Sequence, residues 1–267
     1  MVVTLLTDYG RSDEFVGVCH GVIRKIAPGV PIVDVGHGIT RHGVRHGAVV
    51  LANALPYLPV GVHVAVVDPQ VGTERRAVAV LCNDERVLVG PDNGVLSLAW
   101  ERAGGVSEAI DISRSPHRLE PVSATFHGRD LFAPVAAHLA AGAAFAEAGD
   151  PLDPASLVAL ELPKPTVDGD SATAHALVVD VYGNVSLDLA HDDLLRLGLT
   201  LGSRAAVESP TGRREAVVVQ TFADVPAGEL LLYEDAWGAV ALAVNRGDAA
   251  AELGLAPDAE LTIARAQ

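Results

Sequence analysis

The residues of this chain best equipped for chemistry fall in three short stretches: Thr7-Asp8-Tyr9-Gly10, Val67-Asp68-Pro69-Gln70-Val71-Gly72-Thr73-Glu74-Arg75-Arg76 and Thr125-Phe126-His127-Gly128-Arg129-Asp130. A lone carboxylate such as Asp8 can accept hydrogen bonds from two vicinal hydroxyls, as a ribose offers, and Gly10 beside it lets a ligand approach the backbone. The first stretch has neither repeated glycines nor a lysine, so it is not a phosphate loop, which disfavours nucleoside triphosphates. Asp68 and Arg75 stand too far apart to be neighbours on one strand, but a turn through Gly72 would fold the arginine back onto the carboxylate. A solvated ion pair on a surface turn fits the same spacing. His127 is either a pH-sensitive catalytic group or a structural histidine at a helix start. There are ten histidines. Only His42 and His46 are spaced as a ligand pair, and Arg41 and Arg45 beside them repel cations, so no metal is expected.

These stretches need a frame to bring them together. Val2–Leu6 is short, apolar and β-branched, as a fully buried strand should be. Ser12 is the expected cap of a helix whose apolar residues Phe15, Val18, Cys19, Val22, Ile23 and Ile26 recur at helical spacing until Pro28-Gly29, with Asp13 and Glu14 in its first turn. Strands are predicted at 31–35, 63–67, 76–81 and 86–89, and helices at 43–55, 95–101 and 131–146. Alternation of strands and helices predicts an α/β domain with a largely parallel sheet. In such a sheet ligands bind beyond the carboxyl ends of the strands, where Asp8, Asp68 and Asp34 with His37 are expected to converge.

Pro151, Pro154, Pro163 and Pro165 then mark a linker. Beyond about Thr173 short strands separated by glycine turns are predicted at 174–181, 185–189, 205–207, 216–221, 229–233, 240–244 and 260–263. The expected layout is an α/β domain at 1–155, a linker at 156–170 and a smaller, mainly-β, barrel-like domain at 171–267.

Composition narrows the class. With 267 residues, 49% hydrophobic and 20% charged, the chain can bury a substantial core, but aromatics are only 4%, so that core must rest on Val, Leu, Ile and Ala. A formal charge of -15 with lysine only at Lys25 and Lys164 excludes nucleic acid as a partner and mildly favours a cationic ligand. Cys19 and Cys82 match no metal spacing and read as buried free thiols. The apolar stretches 48–67 and 131–145 are interrupted, and the N-terminus has no basic region or cleavage site. No membrane span or signal peptide is expected, and a cytoplasmic location is.

Taken in order, Thr7-Asp8-Tyr9-Gly10 with Asp13, Val66-Val67-Asp68-Pro69 through Gly72-Thr73 and Arg75, Gly90-Pro91-Asp92-Asn93-Gly94, Phe126-His127-Gly128-Arg129-Asp130, Tyr182-Gly183-Asn184 and Thr221-Phe222-Ala223-Asp224 resemble the adenosine-forming S-adenosyl-L-methionine (SAM) hydrolases, or SAM hydroxide adenosyltransferases. These are relatives of the SAM-dependent fluorinase and chlorinase. The resemblance implies hydrolysis of SAM to adenosine and methionine, with SAM as substrate and no cofactor. It also implies a homotrimer, its sites lying between one subunit's first domain and its neighbour's second. Catalysis would fall to Asp68, Arg75 and His127. Asp8 would hold the ribose hydroxyls and Asp13 the methionine amino group. Phe126, Gly128, Tyr182, Asn184 and Trp237 would line the substrate, and Asn245 would contact adenine. The halogenating relatives carry Tyr at the positions of Asp68 and His127, and a carboxylate at 68 would repel a halide, so hydrolysis is favoured over halogenation. The chain departs from the family at Gln70, at Val35-Gly36-His37-Gly38 and at Asp235-Ala236-Trp237-Gly238. Gln70 and Ala236-Trp237 keep open a pocket that binds SAM or adenosine without turning it over.

Overall fold

The computed structural model describes residues 1–266 and divides into two compact units, Met1–Leu160 and a second from Glu161 onward. The strands of the first unit are β1 (Val3–Thr7), β2 (Ile32–Gly36), β3 (Val62–Val66), β4 (Ala77–Cys82), β5 (Val87–Pro91), β6 (Val106–Asp111) and β7 (Asp150–Leu152). They form one sheet in the order β2-β1-β3-β5-β4-β6-β7. β2, β1, β3 and β5 run parallel. β4, β6 and β7 add an antiparallel flank.

Helices α1 (Phe15–Ile26), α2 (Val44–Ala54), α3 (Ser97–Arg102) and α4 (Ala133–Ala140) cover both faces. Side chains alternate along a strand, so Val3 and Leu5 of β1 and Val62, Val64 and Val66 of β3 pack with Cys19 and Ile23 of α1 and with α4. Leu6 and Ala65, with Val67 just past β3, point the other way, onto Leu51 of α2 and Ala99 and Trp100 of α3. Every residue of β1, β3 and β5 is therefore buried, which is why these strands read as largely apolar runs, broken only by the buried Thr4, Thr7 and His63. The chain leaves β1 toward β2 on one side and reaches β3 on the other. That reversal leaves a crevice at the carboxyl ends of β1 and β3.

The structure differs from the sequence expectations at several ends. α1 starts at Phe15 with Glu14 at its cap and no side-chain cap, so Ser12 does not cap it and Asp13 and Glu14 precede its first turn. The exposed stretch 11–14 instead bends the chain away from Gly10, whose φ is +72. The helix predicted over 131–146 begins as a wide turn, Gly128–Phe132, and α4 stops at Ala140 because Gly142 takes a φ of 102°. A single 3₁₀ turn, Phe145–Glu147, follows. β6 and the edge strand β7, which contains Pro151, were not expected.

The second unit contains β8 (Thr166–Asp168), β9 (Ser171–Val179), β10 (Val185–Ala190), β11 (Arg204–Ser209), β12 (Gly212–Val218), β13 (Leu230–Glu234), β14 (Ala239–Val244) and β15 (Glu260–Arg265). They run in the order β10-β14-β13-β12-β11-β15-β9-β8, and a further β9–β10 pairing closes the seven strands β9 to β15 into a barrel. β8, inside the predicted linker, hangs on β9 as a hairpin. Alternate residues such as Ala172, Ala174 and Ala176 of β9 and Val185, Leu187 and Leu189 of β10 fill the barrel, joined by Leu194 of α5 (His191–Arg196) and Leu253 of α6 (Ala249–Leu253). Cys19 and Cys82 are buried free thiols, as expected. No helix among the described residues is long and apolar enough to cross a membrane.

Candidate active site

The loop after β3 makes the first half of the site. Val71 N–H donates to the Asp68 carbonyl at 3.3 Å and Thr73 N–H to the Gln70 carbonyl at 3.1 Å. The Thr73 hydroxyl also donates to that carbonyl at 2.7 Å and accepts from Arg75 N–H at 3.3 Å. Gly72, with φ +80, is the pivot, and a Cβ there would lie 2.5 Å from the Ala124 carbonyl. These turns fold Arg75 back onto Asp68. Arg75 Nε donates to Asp68 Oδ1 and Oδ2 at 2.9 and 3.0 Å, and Nη2 donates to Oδ2. The side chains are only 4% and 5% exposed, so this is not the solvated surface pair that the spacing also allowed. Phe132 backs the guanidinium, its ring centroid 5.4 Å from Arg75 Cζ.

His127 is brought in by the loop ahead of α4. Asp130 organises that loop: it is buried, and its carboxylate accepts from Ser123 N–H at 2.8 Å and from Arg129 Nε and Nη2 at 2.6 and 2.8 Å. Burial alone would raise the pKa of Asp130, yet the hydrogen bonds from Arg129 and Ser123 hold it below the usual range. Arg75 Nη2 donates to His127 Nδ1 at 2.8 Å. A guanidinium only donates, so Nδ1 must carry its lone pair and the neutral ring has its proton on Nε2. Burial, and then the Arg75 charge, lower the His127 pKa, which keeps the ring neutral.

Asp8, Tyr9, Val66, Asp68, Val71, Thr125, His127 and Gly128 line one pocket of about 50 Å³. That volume takes a solvent molecule rather than a nucleoside. Asp8 Oδ2 accepts the His42 amide at 3.0 Å, which fixes the carboxylate and leaves it lone pairs to offer. Asp34 does not join Asp8 and Asp68 here. Its Oδ1 lies 2.8 Å from His20 Nε2, and 3.1 Å from His37 Nε2 in a contact poorly aligned for a hydrogen bond. Those histidines hold the Asp34 pKa down against the opposing effect of burial. His37 in turn bonds the Thr7 hydroxyl at 2.9 Å and accepts Gly10 N–H on its carbonyl at 2.8 Å, so the Asp34–His37 pair buttresses the Asp8 loop from behind. Asp13 is exposed, outside the pocket lining. Phe126 also stands off the pocket wall, its ring 5.1 Å from Phe15 and 5.9 Å from Tyr9.

In the second unit, the Asp180 carboxylate accepts the amides of Tyr182 and Asn184 at 2.8 and 2.9 Å and Asn184 Nδ2 at 2.8 Å, leaving the Tyr182 ring 75% exposed. Asp235 Oδ1 holds Trp237 N–H at 2.8 Å, and its Oδ2 accepts the Ser186 hydroxyl at 2.7 Å. The Asn245 side-chain amide donates one of its two N–H groups to the Val225 carbonyl at 2.7 Å. Phe222 and Tyr233 form an edge-to-face pair at 5.1 Å. Sequence reasoning assigned no role to Asp130 or Tyr9, whereas the turn it expected through Gly72 is present. The signal for Asp130 was an acid directly following Arg129 at a helix start, but only its burial reveals the loop it holds. Among the described residues no group of three or more His, Cys, Asp and Glu side chains is arranged to hold a metal ion.

Residues 3–149 match the SAM hydroxide adenosyltransferase N-terminal domain, and residues 174–262 match the C-terminal domain of the same family. The chain is 47% identical to an (R)-S-adenosyl-L-methionine hydrolase of Salinispora tropica over 98% of its own length and 97% of that protein. A more distant relative is a fluorinase of an Actinoplanes species, 28% identical over 99% of this chain and 98% of that one. Among solved structures, an uncharacterized conserved protein from Thermotoga maritima superposes with a TM-score of 0.90 at 36% identity, covering 99% of this chain and 100% of the other.

Proposed function

The chain belongs to the SAM hydroxide adenosyltransferase family, and from that premise we propose that it hydrolyses S-adenosyl-L-methionine to adenosine and L-methionine by attack of water or hydroxide on the 5′ carbon of the ribose. The observation that carries this reading is the meeting of Asp68, Arg75 and His127, two of them in the wall of a solvent-sized pocket and the third bonded to both.

The demand of the reaction falls on the nucleophile. The sulfonium leaves as a neutral thioether when the C5′–S bond breaks and its electron pair returns to sulfur. Little acid catalysis is needed on that side. One water oxygen forms the new C5′–O bond and one proton is released. His127, with its proton on Nε2, is a donor toward the attacking oxygen and not the base. Asp68 keeps lone pairs beyond those bonded by Arg75 and is the acceptor that orients the water and takes its proton. Arg75 supplies the positive charge that favours a nascent hydroxide. Holding oxygen, carbon and sulfur in line adds rate through orientation. The carboxylate at 68 disfavours a halide in the same place.

The remaining roles complete the proposal. Asp8 binds the ribose hydroxyls and Asp13 the methionine amino group, while Phe126, Gly128, Tyr182, Asn184, Trp237 and Asn245 line the rest of the substrate. The exposed ring of Tyr182 and the free lone pairs of Asp8 support these assignments, and the charge of -15 suits a cationic substrate. A cytoplasmic homotrimer with sites at subunit interfaces is part of the same reading.

Incubating the purified protein with SAM and separating the products by chromatography tests it. Adenosine and methionine in equal amounts are expected. SAM bound but unchanged would make the protein a sensor, and a 5′-halogenated nucleoside formed with added chloride would make it a halogenase.

A further inference from the structure

Tyr9 follows the ribose-binding candidate Asp8 and is one of the residues that line the nucleophile pocket. Its ring is held in place. Phe15 and Phe126 pack on it with centroids 5.7 and 5.9 Å away, and its backbone amide donates to the Thr7 hydroxyl at 3.2 Å. The phenolic oxygen sits against Gly128, where a Cβ would fall 2.3 Å from Oη, 3.1 Å from Cζ and 3.2 Å from Cε2. No side chain other than hydrogen fits at 128 while the hydroxyl keeps its position, so the glycine beside His127 makes room for this one polar atom. Among the described residues the half-buried Tyr9 hydroxyl makes no hydrogen bond to protein, so it is free to bond a molecule in the pocket. A phenylalanine would fill the aromatic cluster equally well. What the hydroxyl adds is a donor in a pocket whose other polar side chains are Asp8, Asp68, Thr125 and His127.

We propose that the Tyr9 hydroxyl is a further catalytic group, donating a hydrogen bond to the attacking oxygen from the Gly128 side of the pocket. The inference rests on the hydrolase reading of that pocket. The attacking water then meets two donors, Tyr9 O–H and His127 Nε2–H, and one acceptor, Asp68. Its proton leaves through Asp68, and the oxygen that forms the bond to C5′ keeps both donors as its negative charge develops. The phenol is suited to remain a donor: burial first, then the Cys19 thiol and the carboxylates of Asp8 and Asp68, push its pKa up, with Arg75 alone opposing.

Steady-state kinetics of Tyr9→Phe test the proposal. The expected result is a ~10- to 100-fold fall in kcat, the rate equivalent of one hydrogen bond to a developing charge, with the KM for SAM within about two-fold of the parent. Gly128→Ala should also lower kcat by displacing the hydroxyl. Added to Tyr9→Phe it should cost much less than it does alone, since the atom nearest the new methyl is gone. Unchanged kcat in Tyr9→Phe would overturn the proposal, as would a rise in KM alone. If Tyr9→Phe does not fold, Gly128→Ala decides, and an unchanged kcat in it would overturn the proposal. A parent protein that forms no adenosine would instead remove the hydrolase reading, so the two failures are distinguishable.

Discussion

Because a guanidinium has no lone pair to give, the 2.8 Å contact between Arg75 Nη2 and His127 Nδ1 decides what the imidazole can do. It assigns His127 the donor's part and leaves proton acceptance to Asp68. A glutamine places an amide N–H where Nε2–H was, so His127→Gln should keep kcat within ~10-fold of the parent, whereas His127→Ala should lose ~10²–10⁴-fold. Equal losses in the two variants, measured as adenosine released at saturating SAM, would mean that His127 acts as a base. The sequence made Asp68, Arg75 and His127 visible as chemical types, and the resemblance grouped them. It could not reveal the tautomer, which depends on which nitrogen faces Arg75. Tyr9 was equally hidden, since an aromatic residue next to Asp8 reads as packing until its hydroxyl is found against Gly128.

At the scale of elements, the site depends on how its loops are anchored. The carboxyl ends of β1 and β3 are fixed by burial on both faces, and this was legible in Val2–Leu6 and 63–67 because doubly covered strands are near-continuous apolar runs. The antiparallel flank was harder to see. β6 is only partly buried and β7 is a short edge strand containing proline, so neither carries a strong apolar signal. The loop joining Asp68 to Arg75 turns on Gly72, whose left-handed φ of +80 and 2.5 Å approach to the Ala124 carbonyl no alanine can reproduce. Gly72→Ala should therefore displace Arg75 and lower kcat by at least ~10-fold. Because the loop lies outside the packed strands, the urea midpoint should fall by the equivalent of only ~1–2 kcal/mol, the cost of a left-handed alanine. Full activity in this variant would show that the folded-back loop is not needed for turnover.

The molecule as a whole carries an acid-sensitive group outside the pocket lining. His63 on β3 is fully buried, with Nδ1 3.0 Å from the Thr4 hydroxyl and no partner for Nε2. Burial first, and then the Arg86 charge, lower its pKa from 6.5 to about 4. The folded state thus resists a proton that the unfolded chain accepts. Stability is intact above pH 6.5 and falls as pH drops from 6.5 to about 4, by roughly 3 kcal/mol from this residue. His46 and His138, also lowered, add loss of the same sign. Urea unfolding across this range should show the decline, and His63→Gln should flatten it. An unchanged slope would shift the acid sensitivity to other groups. At this scale the seven-stranded barrel was the most legible feature, because β9, β10 and β15 alternate apolar and polar residues while β11, β13 and β14 carry short apolar runs. The small helices that plug it, α5 and α6, are too short for helical periodicity to reveal. The account's central claim is that the pocket aims one solvent oxygen at the 5′ carbon of SAM. Turnover in H₂¹⁸O followed by mass spectrometry of the products tests it most directly. One ¹⁸O in the 5′-hydroxyl of adenosine and none in methionine is the predicted result, whereas label in an amino-acid product, with 5′-methylthioadenosine released in place of adenosine, would contradict it.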